Sequence, residues 1–180
     1  MPKKLKLVAI VSLVMLAAGF RQAEWSKVES AKENFTISMP SEPKRERKRT
    51  SERDDFFVLG SDRRIYSVES SGINYMIETS KFYVVPKRQQ DIRMILSFAC
   101  DNFLRETGYK VRILRDREIS LEGFPGWEMI AESGKRVRTL RAYMIKDRLY
   151  QMTTTEPKAA EQSPDTVKFF ESFKLLAQPK

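Results

Sequence analysis

The chain has 180 residues, 33 Lys and Arg against 24 Asp and Glu for a formal net charge of +9, one cysteine and no histidine. Lacking histidine, it lacks the commonest general acid/base and metal ligand, which excludes Ser-His-Asp, Cys-His and histidine-zinc chemistry. Cys100 stands alone, so no intrachain disulfide forms, and the length suits one domain with a core that needs no covalent staple.

Lys3, Lys4 and Lys6 precede an apolar run over 7–20 that closes on Ala17-Ala18-Gly19, the order of a secretory signal. A helix over this run reaches about 21 Å, short of the roughly 30 Å hydrocarbon core. The run therefore reads as a signal cleaved after Ala18 or Gly19, with an uncleaved membrane-tethering anchor as the alternative. Either way the remainder is expected to be exported, periplasmic or extracellular. Leu16-Ala17-Ala18-Gly19 resembles the lipobox of bacterial lipoproteins, but Phe20 stands where the lipidated cysteine belongs, so no lipid anchor is expected. The chain thus divides into a leader at 1–19, a lead at 20–33 containing Trp25 and Val28, and a single domain at 34–178.

Residues 35–39 alternate apolar and polar up to Pro40 and read as a first strand. Residues 41–50 are basic, a loop or a solvated edge strand, and Phe56-Phe57-Val58-Leu59 reads as a short buried piece. Residues 65–69 and 73–84 form a predicted hairpin about Ser70-Ser71-Gly72, with Tyr66, Val68, Tyr75 and Ile77 as core candidates. Over 87–107 the period becomes helical: Ile92, Ile95, Leu96, Ala99 and Phe103 make a stripe, and Gly108 sits at the C-cap position. Cys100, beside that stripe, reads as a buried small hydrophobe. Four further strands over 109–119, 127–132, 137–145 and 149–155 are separated by Gly123-Phe124-Pro125-Gly126, Ser133-Gly134 and Lys146-Asp147 as turns. Ser163-Pro164-Asp165 opens a last helix with Val167, Phe170 and Phe173 on one face. The expected class is α+β: a mostly antiparallel sheet covered by one long central helix and one C-terminal helix.

Phe35-Thr36-Ile37-Ser38-Met39-Pro40, Gly123-Phe124-Pro125-Gly126, Arg141-Ala142-Tyr143 with Asp147-Arg148-Leu149-Tyr150, and Phe169-Phe170-Glu171-Ser172-Phe173 resemble the landmarks of small exported bacterial proteins of unassigned function with a PsbP-like fold. The resemblance implies a fold shared by non-catalytic accessory subunits and carries over no site residues.

The residues themselves supply no catalytic constellation, metal site or cofactor motif. Asp54-Asp55 lies in a polar segment, and Glu128 and Glu132 alternate with apolar residues as solvent-facing strand positions would. Ser41-Glu42-Pro43-Lys44 has Ser-x-x-Lys spacing, but Pro40 and Pro43 preclude the helical turn that chemistry needs. Asn34-Phe35-Thr36 is a glycosylation sequon that a bacterial-type leader makes incidental. Two basic runs are the candidate anion-binding residues: Lys44, Arg45, Arg47, Lys48 and Arg49, and Lys135, Arg136 and Arg138. The leading expectation is a non-enzymatic accessory or binding module at the cell envelope whose partner is an envelope protein. The alternative is a surface protein that docks these runs on anionic polymer or membrane. Nucleic acid is not expected, since no base-stacking platform accompanies the charge. Protection of a sheet edge from pairing with other chains, with solubility, is the favoured account of the runs.

Overall fold

The structure is a computed structural model that describes residues 25–50, 61–83, 85–108, 110–159 and 162–176, without the side chains of 49, 50 and 61. The expected leader, the Asp54-Asp55 pair and the Phe56–Leu59 stretch lie outside the described residues. Strands β1 (Ser26–Ser30) and β2 (Phe35–Met39) come first, followed by β3 (Lys44–Thr50), β4 (Ser61–Ser70), β5 (Ile73–Phe82) and helix α1 (Gln89–Thr107). Strands β6 (Arg112–Leu121), β7 (Phe124–Ser133), β8 (Arg136–Ile145) and β9 (Arg148–Pro157) precede helix α2 (Pro164–Glu171) and the short β10 (Lys174–Leu175).

The expected α+β architecture is overturned. Among the described residues the fold is mostly β, 56% strand and 20% helix, with the strands in two antiparallel sheets of three and seven strands. The large sheet runs β3-β4-β5-β9-β8-β7-β6, and the small one runs β1-β2-β10. The missing layer came from strands too short or too polar to register as such. β1 lies inside the lead at 20–33, pairing Val28 with Ile37, and β10 adds two residues to the other side of β2.

Side chains alternate along each strand, so the large sheet fills two cores. Tyr66, Tyr75, Ile77, Tyr143, Tyr150 and Met152 face the small sheet and the C-terminal segment, meeting Phe35, Ile37, Met39, Phe169, Phe170 and Phe173. Phe35 lies edge-on to Tyr66 at 5.6 Å between ring centroids, and Tyr143 stacks on Phe173 at 6.2 Å, geometries that favour the ring quadrupoles. On the opposite face Met129, Ala131, Leu140, Ala142, Met144 and Leu149 meet Ile95, Leu96, Ala99, Cys100 and Phe103 of α1. This helix packs on β7 and β8, so it covers one part of that face. Burial beneath it pushes the Cys100 thiol up to about 12.

Helix ends follow their capping residues. Gly108 takes φ 121° and returns its N–H to Leu104 O, the C-cap expected for α1. Ser163 Oγ accepts from Thr166 N at the start of α2, where Pro164 supplies a preset φ. The buried face of α2 is Thr166, Phe169 and Phe170, while Val167 points out at 39% exposure; Phe173 reaches the core from beyond the helix end.

The turn expected over 123–126 is shorter. Glu122 and Gly123, at φ 51° and 84°, make a tight two-residue hairpin, and Phe124, Pro125 and Gly126 already belong to β7. Pro125 costs no ladder bond on the β8 side, because pairing with β8 begins at Gly126 against Tyr143. Gly126 is needed for close approach: a Cβ there would lie 2.6 Å from Ala142 O and against the Tyr143 ring. Gly126→Ala is expected to destabilise the fold by about 1–3 kcal/mol through overpacking, read as a lower denaturation midpoint with an unchanged slope.

Candidate functional site

Strand periodicity splits the first basic run between two faces. Arg45 and Arg47 share the face of Tyr66, with the Arg45 guanidinium 5.9 Å from the Tyr66 ring centre and 3.8 Å from Glu42. Arg47 forks onto Asp62 through Nε at 2.8 Å and Nη2 at 2.6 Å. Lys44 and Lys48 take the opposite face: Lys44 Nζ pairs with Glu46 at 2.8 Å, and Lys48 is exposed without an ion pair among the described residues. Arg49 pairs by its backbone with Asp62 across the β3–β4 ladder.

In the second run Lys135 is exposed in the β7–β8 turn, and Arg136 reaches Thr155 O at 3.5 Å. Arg138 is drawn onto α1: its guanidinium lies 4.9 Å from the Phe103 ring centre, 3.0 Å from Thr107 Oγ1 and 3.3 Å from Glu106 Oε2. Strands β4, β5 and β9 separate β3 from β8, a lateral gap of about 19 Å at ~4.8 Å per strand. The structure therefore does not bring the two runs together.

The carboxylates are also differently placed from the sequence-based expectation. Glu128 is 1% exposed rather than facing solvent, and three arginines converge on it. Arg141 Nε donates to Oε1 at 2.9 Å, while Arg117 Nε at 2.8 Å and Arg115 Nη1 at 3.3 Å donate to Oε2. Burial pushes the Glu128 carboxyl up, but the bonds from Arg141, Arg117 and Arg115 outweigh it and hold the group below its ordinary value. Glu132 pairs with Arg112 at 2.8 Å and Lys158 at 2.6 Å. Elsewhere Arg63 forks onto Glu78 with both bonds at 2.7 Å, and Glu33, 1% exposed in the β1–β2 turn, meets Arg64 at 2.8 Å and the Ser30 and Tyr66 hydroxyls. Glu156 Oε2 accepts from Ser163 N and Thr166 Oγ1, tying β9 to the start of α2.

A bulge gathers the arginines of β6. Arg112 stands opposite Glu132, Arg115 opposite Ile130 and Arg117 opposite Glu128, because the register shifts between Ile113 and Arg115. Strict alternation would put Arg112 on the face away from Arg115 and Arg117; the extra residue, Leu114, brings all three to the same side. No spacing rule applied to Arg112-Ile113-Leu114-Arg115 reveals this. Only the partner strand's pattern, Glu128 and Glu132 with Ile130 between, signals a complementary row.

A second feature opens where three turns meet. A cleft of about 520 Å³ is floored by Phe124, Ile145, Tyr150 and Leu175, and rimmed by Lys32, Asn34, Glu122, Lys146, Asp147 and Arg148 with Lys81. Its four cations exceed its two carboxylates. Lys81 lies 3.5 Å from Asp147, and Arg148 donates to Lys32 O at 3.4 Å, which leaves Lys32 and Lys146 exposed at the rim. Asn34, Glu122 and Lys146 hold φ of 58°, 51° and 56°, three of the four left-handed non-glycine residues among those described. Such backbone is costly and places charged side chains at defined points on tight turns. Among the described residues, no group of three or more His, Cys, Asp or Glu side chains is arranged to hold a metal, and no helix is long and apolar enough to cross a membrane.

No family model matches the chain, and no curated protein matches it either. Among solved structures it is similar to the solution structure of cyanobacterial PsbP (CyanoP) from Synechocystis sp. PCC 6803, with a TM-score of 0.54 and 14% identity over 87% of this chain and 95% of that one. That likeness is one of fold: the chain has a PsbP-like architecture.

The paired carboxylates make acid stability a test of this geometry. The hydrogen bonds from Arg47 hold the Asp62 carboxyl down at about 2, against an ordinary value near 3.8. A depressed carboxylate stabilises the fold above its unfolded pKa and loses that contribution as pH falls through the folded one. Asp62→Asn is therefore expected to be less stable than the parent at pH 7, by under about 1 kcal/mol for a pair this exposed. The gap should close between about pH 4 and pH 2 in denaturation curves run against pH.

Proposed function

We propose that this protein is a non-catalytic accessory or binding module, exported by its lysine-led leader and acting at the cell envelope. The commitment of its interior carboxylates carries the reading. Glu33, Glu78 and Glu128 each lie against arginine, and Glu156 fastens α2. General acid/base work needs a carboxyl poised near the operating pH with room for a substrate, whereas these groups are counter-ions and caps within the fold. A PsbP-like architecture accords with the same reading without fixing a partner. The turn-end cleft is the binding surface of choice, since it combines apolar floor and cationic rim at a size typical of ligand sites.

The partner is an envelope protein presenting an acidic segment to Lys32 and Lys146. Tagged full-length protein expressed in its native host is expected in the envelope fraction, and to retain a specific partner at low salt and release it at high salt. Lys32→Glu with Lys146→Glu should abolish that retention while leaving circular dichroism unchanged. Recovery of the intact chain, Met1 included, from the cytosol with no salt-sensitive partner would refute the proposal.

A second reading rests on the exposure of Lys44, Arg45 and Lys48 along the edge strand β3. In it, the basic runs dock on anionic polymer or an anionic membrane surface. Charge reversal at Arg45, Arg47 and Arg49 should then lower binding to anionic vesicles and flatten its salt dependence; unchanged binding would remove this reading.

A further inference from the structure

We propose that the arginine row of β6 is a binding site for a phosphate group. Five cations, Arg112, Arg115, Arg117, Arg141 and Lys158, share one side of the sheet with three carboxylates, Glu128, Glu132 and Glu156, the last of which accepts from Ser163 N and Thr166 Oγ1. Other nearby acids are committed elsewhere: Asp116 accepts from Trp127 Nε1 at 2.5 Å, and Glu118 pairs with Arg93 at 3.5 Å. The excess positive charge is therefore local to this face.

The geometry is that of a preformed oxyanion receptor. Each guanidinium carries five N–H donors in a rigid plane, and the two oxygens of Glu128 satisfy only a few of those offered. Glu128 lies at the base of the cluster, 1% exposed, whereas the Arg115 and Arg117 side chains are 46% and 57% exposed. Glu128 Oε2 takes Arg115 Nη1 and Arg117 Nε, and the donors it does not take belong to side chains that are about half exposed. Arg141 is fixed a third way, stacked 5.0 Å from the Phe170 ring centre. Ordering three long side chains around one acceptor brings like charges close together; a second anion on the outer side relieves that repulsion with charge-assisted, forked hydrogen bonds.

Phosphate suits this arrangement better than a single carboxylate, because its tetrahedral oxygens can take donors from Arg115 and Arg117 together. The hollow of about 340 Å³ beside Arg115 is a poorer seat, since Glu156 lines it along with Leu114, Ile130 and Gln162. The anion is assigned to the Arg115–Arg117 side. It belongs either to free phosphate or to a lipid headgroup.

Thermal denaturation of the full chain during titration with inorganic phosphate, against sodium chloride of equal ionic strength, tests the site. A saturable rise in Tm is expected for the parent, lost in Arg115→Gln with Arg117→Gln and reached at several-fold lower phosphate in Glu128→Gln. Arg117→Lys keeps the charge without the fork and should weaken binding, which keeps the test decisive should the double variant fail to fold. No phosphate response in the parent, or an equal one in the variants, overturns the assignment. Cosedimentation with phosphatidylglycerol vesicles that phosphate displaces identifies the headgroup as the source, and phosphate binding without vesicle binding identifies the free ion. Binding to neither overturns the proposal.

Discussion

Two-sided burial of the central strands governs this architecture. In β8, Tyr143 and Ile145 point to one side and Ala142 and Met144 to the other, all nearly inaccessible to solvent. β9 does the same with Tyr150 and Met152 on one side and Leu149 on the other. Such strands cannot rest at a surface, so each face needs its own cover. The chain meets one requirement with α1 and the other with a three-stranded sheet and α2. Neither cover is a closed domain by itself: β1 and β2 have five residues each and β10 has two. Their stability comes from Phe35, Ile37 and Met39 packing on the large sheet.

Charge is organised by the same geometry. A chain with an excess of cations and acids buried at Glu33 and Glu128 must place an arginine beside each of them, because an unpaired interior carboxylate is far costlier than a paired one. At Glu128 the pairing overshoots, three cations to one anion, and the surplus appears at the sheet edge. That strand is one of the two edges of the large sheet; β3, the other, is also rich in lysine and arginine. Charged edges discourage strand addition by another chain, so edge protection and anion attraction draw on the same side chains.

Much of the fold was legible where one signal dominated. The helical period over Ile95, Leu96, Ala99 and Phe103, the cap at Gly108, the hairpin at Ser71-Gly72 and the Ser163-Pro164 start of α2 all follow from local chemistry. The class is not legible because β1 carries a single buried apolar residue, Val28, and β10 has two residues in all, so neither shows a period and the layer they supply falls to helices in a reading of the sequence. Gly and Pro signal turns by composition, so 123–126 reads as one long turn, whereas Gly126 answers to the Tyr143 ring across the ladder. Alternation shows which residues share a face but not what lies over that face, so by sequence alone Glu128 reads as solvent-facing. The basic runs were legible as charge but not as a site: strand alternation divides Lys44 from Arg45, and Phe103 with Glu106 claims Arg138. The β6 row and the turn-end cleft depend on a bulge and on the meeting of three distant turns, and neither has a local signature.

Cys100 shows what the long helix does beyond filling space. Its sulfur sits under α1 with burial and the Asp116 charge both disfavouring the thiolate, and only a thiolate attacks a disulfide or an alkylating reagent readily. In an oxidising milieu an unpaired sulfur invites cross-links between copies and scrambled adducts. The helix acts as a latch against that chemistry, so the sulfur's appearance to a thiol reagent would time the lifting of α1 from β7 and β8, a clock for local opening that the chain carries without any added label.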